Sequence, residues 1–164
     1  MNIQNIKIAI DVMERVEKER RPFDMTRWQQ GHYDSAAMYR KYAAHEHECK
    51  MAACFGGWLA LSPEWQSQGG HVMYTGAPYY RGEMGADAIA AFLEVSEETA
   101  VGLAGLRDVD ESGYMSITMR ILGPYYGKSI HEITVTDVLA KLRDLLRVAE
   151  AAERAEAGEW EAIA

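Results

Sequence analysis

From Cys49 to Leu61 the chain reads CKMAACFGGWLAL, small and apolar residues interrupted by Lys50 alone. Strands usually run to about six residues, and a membrane span needs roughly 20 apolar residues, so this stretch fits neither. It is expected to form a buried helix, and the remainder of the chain must supply its cover. Gly56 and Gly57 inside it each cost a helix about 1 kcal/mol relative to Ala, which implies that another backbone packs closely there.

The cover is legible as amphipathic helix. Ile3, Ile6, Ile10, Met13 and Val16 fall on one face at helical spacing, and Pro22 after Arg20 and Arg21 supplies a stop. Ser35 can cap a helix carrying Met38, Tyr39 and Tyr42. Ser62 and Pro63 read as an N-cap and first-turn proline of a short helix that ends at Gly69 and Gly70. Ala86, Ile89, Ala90 and Leu93 predict another, and Ser96 caps the next through about Leu106. Thr136 is expected to cap a long final helix bearing Val138, Leu142, Leu145 and Ala149, with Gly158 as terminator. Only His71 to Arg81, with Val72, Tyr74, Tyr79 and Tyr80 around Thr75-Gly76-Ala77-Pro78, reads as a hairpin.

The expected fold is therefore mainly α, α+β at most: about six helices and one small β-hairpin in a compact single domain. At 164 residues, 48% hydrophobic and 26% charged, the chain is long enough for one core and far from the composition of disorder. No linker or repeat divides it, so residues 1–157 are expected as a single helical domain and 158–164 as a frayed tail. The early acidic residues Asp11, Glu14 and Glu17 do not resemble an export signal, and Cys49 and Cys54 are too few for a disulfide framework. Both features predict a cytoplasmic protein with reduced thiols and no membrane partner. The net charge of −8 repels phosphate backbones, which argues against a nucleic-acid partner.

Four motifs carry chemistry worth weighing. The densest set of metal-ligand types is His45-Glu46-His47-Glu48-Cys49 with Cys54, and His32 and His71 lie within reach in sequence. Imidazole and thiolate together would select zinc, making His45, His47, Cys49 and Cys54 the candidate ligands of a zinc-stabilised domain or metal-dependent enzyme. Against it, four residues separate the cysteines, which a regular helix would place about 140° apart, and Cys54 sits within the apolar stretch. The plainer expectation is a core Cys54, a solvated His/Glu run and no cofactor.

Asp108 to Ser116 matches the early positions of a calcium-binding EF-hand loop, yet Met119 stands where the bidentate Glu belongs, so an ordinary acidic turn is expected. Asp87 to Leu106 has the outline of a helix-turn-helix, but Glu97 and Glu98 would face phosphates with the wrong sign. Gly123-Pro124-Tyr125-Tyr126-Gly127-Lys128-Ser129 has three residues between its glycines instead of the four of a phosphate-binding loop. No nucleophile elbow or H-E-x-x-H pair is present, which favours a non-enzymatic chain and leaves open acid and base carboxylates converging from distant positions.

Cys49-Lys50-Met51-Ala52-Ala53-Cys54-Phe55-Gly56-Gly57-Trp58 resembles a family of small bacteriophage and prophage proteins of unknown function with a C-G-T-x-x-C-x-x-G-W-like segment. Phe23-Asp24-Met25 with Trp28, Ala91 to Glu98, and Ile133 to Val138 extend the resemblance over most of Ile6 to Arg147. Lys50-Met51 replaces the Gly-Thr of that pattern. The resemblance carries over no active site. It implies a phage-encoded accessory protein working in the host-cell cytoplasm, a class in which many small acidic proteins bind and block a host or defence protein.

The functional expectation is a non-enzymatic module acting by protein–protein interaction, an inhibitor among its readings. Tyr74, Tyr79, Tyr80, Tyr125 and Tyr126 are its candidate partner-binding residues, because tyrosines at turns are favoured interface anchors. A host or defence protein is the expected partner, and self-association into a homo-oligomer is left open.

Overall fold

The computed structural model describes residues 1–25, 52–73, 76–104 and 130–157. Within them the chain is mainly helical with a small antiparallel sheet. The helix α1 spans Ile3–Lys18, with Asn2 as its N-cap accepting from the Asn5 amide. Its apolar face buries Ile6, Ala9, Ile10, Val12, Met13 and Val16, as the spacing predicts. It ends in a Schellman turn: the Arg21 amide donates to Val16 and the Arg20 amide to Glu17, while Arg20 takes a φ of 53°. Pro22 lies just beyond this stop.

The apolar stretch is helical later than expected. Ala53 pairs in parallel with Phe23, Cys54 is an extended N-cap, and α2 begins only at Phe55, spanning Phe55–Leu61 with every residue buried. The competing interaction is the bridge to the segment after α1, where Asp24 donates to the Ala53 carbonyl. Ser62 then caps α3 (Pro63–Ser67), accepting from the Trp65 amide, with the proline at the first helical position. Gly69, at φ 88°, closes α3.

Three short strands follow rather than two. They are β1 (His71–Val72), β2 (Pro78–Tyr80) and β3 (Glu83–Met84), in the order β1-β2-β3. His71 faces Tyr79 and Val72 faces Pro78 in the first pair; Tyr79 faces Met84 and Tyr80 faces Glu83 in the second. Arg81 and Gly82, both at positive φ, make the tight turn between β2 and β3, a pairing suited to a two-residue hairpin loop.

Then come α4 (Ala86–Leu93) and α5 (Glu97–Ala104), the latter capped by Ser96, whose Oγ accepts from the Thr99 amide. After a single 3-10 turn at Ile130–Glu132, α6 runs Val135–Glu156. Its cap is Thr134, not Thr136. Thr134 and Asp137 satisfy each other's backbone amides in a capping box, and Thr136 is left free to donate to Glu17 at 2.7 Å. The last helical turn is followed by Ala157 as C-cap, and Gly158 lies outside the described residues.

Helix α6 lies antiparallel on α1. Lys7 meets Glu150 at 3.2 Å, Glu14 meets Arg143 at 2.7 Å, and Glu17 meets Thr136, so the numbers fall on one helix as they rise on the other. One hydrophobic cluster draws from all six of these helices and from β1 and β2. Asn5 is a buried polar tie within it: its Nδ2 donates to the Phe92 carbonyl at 2.7 Å and its Oδ1 accepts from Gln68. That bond satisfies a carbonyl at the C-terminal end of α4, which the helix itself leaves unpaired.

Candidate functional site

The small sheet separates two kinds of side chain, because strand residues alternate between faces. Its inner face, packed on α4, holds Tyr80 in an aromatic cluster with Trp65 at 5.2 Å and Phe92 at 5.3 Å between ring centroids. Trp65 and Phe92 stack 4.7 Å apart. Tyr80 is 1% exposed, so it belongs to the core and is corrected from the set of candidate partner-binding residues.

The outer face carries Tyr79 in the middle of a row across all three strands. His71 stacks on it at 4.4 Å from β1, and Met84, 55% exposed, stands opposite it on β3. His71 is exposed and Tyr79 half-buried. The row combines a large amphipathic ring, a polarizable thioether and an imidazole, a composition that adapts to a partner surface. From the sequence Tyr79 stands out as an interface residue, His71 only as a metal-ligand type, and Met84 not at all. Knowledge of the strand register is what joins the three.

Of the candidate zinc ligands, Cys54 is fully buried at the start of α2. Burial pushes its thiol up to about 12, against the pull of the Gly57 and Gly56 amides, so near neutral pH it carries its proton. In the metal-free chain the protonated thiol packs as a small core residue, and it would have to lose that proton to ligate a metal or attack an electrophile. His45, His47 and Cys49 lie outside the described residues, as do Tyr74, Tyr125 and Tyr126. The acidic turn at 108–119 and the glycine segment at 123–129 lie outside them too. Among the described residues, no three His, Cys, Asp or Glu side chains converge as a metal-binding group, and no helix is long and apolar enough to cross a membrane.

The stretch with helix-turn-helix outline forms two helices, α4 and α5. On α5, Ala100, Val101, Gly102, Leu103 and Ala104 are buried, which makes it a packing element.

A second surface feature joins α1 to the α2–α3 junction. A cleft of about 180 Å³ has a floor of Val12, Val16 and Leu61, and Trp58 forms one wall. Arg15 and Arg21 stand at its rim. Arg15 is committed elsewhere: Nη1 and Nη2 donate to the two carboxylate oxygens of Glu64 at 2.7 and 2.8 Å. That pair raises the guanidinium's pKa and lowers the carboxyl's, in each case chiefly through the hydrogen bonds they share. Arg21 lies 5.2 Å over the Trp58 ring and uses Nε on Glu19 at 2.6 Å. Trp58 in turn donates its indole N–H to the Pro22 carbonyl at 3.1 Å, fixing the wall. The sequence marks Val16, Arg21, Ser62 and Pro63 only as helix-face, stop and cap residues, and the convergence of the cleft is not visible there because its two sides are far apart along the chain.

Comparison with models of known protein families, with curated proteins and with solved structures found no match.

Proposed function

We propose that this chain is a non-enzymatic, phage-type accessory protein that acts by protein–protein interaction, with a host or defence protein as the molecule it binds and blocks. The observation that carries the reading is the row His71–Tyr79–Met84 on the outer face of the sheet, a half-buried tyrosine between two exposed side chains. Interfaces concentrate their energy in a few aromatic and adaptable side chains, and Tyr and Met are enriched there over the rest of a protein's surface. The row sits on a platform already held rigid from behind by the Trp65–Tyr80–Phe92 cluster, so little order is lost when a partner covers it. An acidic chain with this platform suits a partner whose contact surface is apolar at the centre and basic at the rim.

Photo-crosslinking in host cells tests the reading directly. A benzophenone amino acid placed at position 79 should give a discrete adduct with one host protein, while the same probe at Glu153 on the exposed side of α6 should not. Equal labelling from both positions, or none from position 79, would count against the sheet face as the contact.

A further inference from the structure

We infer that the cleft between α1 and the α2–α3 junction binds the C-terminal residue of a partner polypeptide, taking its apolar side chain onto the floor and its carboxylate onto Arg21. The site is independent of the sheet face. Its volume, about 180 Å³, is below the roughly 300 Å³ at which small-molecule pockets begin, and suits one side chain. The floor of Val12, Val16 and Leu61 with the Trp58 wall offers such a side chain an apolar lining.

The two cations at the rim differ in how they are engaged. Arg15 spends both terminal nitrogens on Glu64, so it frames the cleft without being available to a ligand. Arg21 spends only Nε, on Glu19, and its two terminal nitrogens have no hydrogen-bond partner among the described residues. Its Cζ lies 5.2 Å over the Trp58 ring, and a guanidinium offers the planar fork that matches a carboxylate. The site therefore asks for an anion and an apolar group within about 5 Å of each other, the spacing set by the 5.2 Å between Arg21 and the Trp58 ring. A chain-terminal residue meets that demand from a single Cα, whereas an internal Asp or Glu carries its carboxylate on one residue and needs the apolar group from another. Capture of terminal carboxylates is an established mode of peptide recognition.

The test uses the full-length protein, with N-acetyl-leucine as a mimic of a C-terminal leucine and N-acetyl-leucinamide as the uncharged control. Two-dimensional NMR follows the Trp58 indole N–H and the Arg21 Nε–H. The acid should shift both signals saturably in the millimolar range, and the amide should bind at least tenfold more weakly. In Arg21→Gln, a variant checked for an unchanged melting temperature, acid and amide should bind equally. Equal binding of acid and amide to the unaltered protein would overturn the carboxylate assignment, and no saturable shift with either would overturn the site. Retention of the acid's advantage in Arg21→Gln would overturn the role given to Arg21.

Discussion

Arg15 and Glu64, 49 residues apart, meet in a two-pronged ion pair that joins the last turns of α1 to the first turn of α3. The contact is near the surface, with side-chain exposures of 45% and 33%, so solvent screens it. Geometry of this kind places it toward the upper end of the ~0.2–1 kcal/mol measured for exposed pairs. Because Glu64 titrates below its ordinary value in the folded chain, its contribution is complete above that ordinary value, near 4.5, and is lost as pH falls through the folded value. Urea titrations of the parent and of Glu64→Gln should therefore differ at pH 7 and draw together as pH falls below 4.5 and the folded carboxyl takes up its proton. A gap that stays constant across that range would contradict the pair's role.

The indole of Trp65 leaves no room at Gly70. A Cβ built there would stand 2.0 Å from the indole nitrogen. The ring has little freedom to retreat, because Tyr80 and Phe92 pack against it and it is fully buried. Gly70→Ala should cost about 1–3 kcal/mol, the usual range for overpacking. A fall in melting temperature of several degrees is expected, and an unchanged midpoint would show that the cluster is loosely packed.

Arg20 occupies a left-handed position, φ 53°, at the residue where helices most often place glycine. The conformation strains any residue with a Cβ, so Arg20→Gly should stabilise the chain by about 0.5–1 kcal/mol. Chemical denaturation reads the change, and a loss of stability would mean that the Arg20 side chain holds more than the backbone costs.

Cys54 should be unreactive in the native state, since its thiol is fully buried and holds its proton to about 12. In a Cys49→Ser background, a thiol reagent should modify Cys54 at least a hundredfold more slowly in buffer than in denaturing urea. Native modification at the unfolded rate would show an open helix start.

What the sequence discloses and what it conceals divide by range. The face of α1, the Ser62-Pro63 start and the Ser96 cap depend on residues within one or two turns, and each stands where the pattern puts it. The start of α2 does not, because Ala53 is taken into a bridge with Phe23, thirty residues away by number and invisible to any local periodicity. Thr134 and Thr136 are equally good caps on composition, and the choice falls to Thr134 through Asp137 three residues on. Tyr79 and Tyr80 are adjacent and chemically identical. Alternation along β2 sends one outward and one inward, but only the packing of α4 decides which. The cleft was hidden for the same reason: Arg15, Arg21, Trp58 and Leu61 converge through tertiary packing alone.

The central claim is that the outer sheet face is the protein's working surface. Quantitative affinity capture from host lysate, comparing the parent with a triple variant His71→Ala, Tyr79→Ala and Met84→Ser of equal melting temperature, addresses it most directly. The account predicts one host protein held in near-stoichiometric amount by the parent and reduced at least tenfold with the variant. An identical set of captured proteins from both would contradict it.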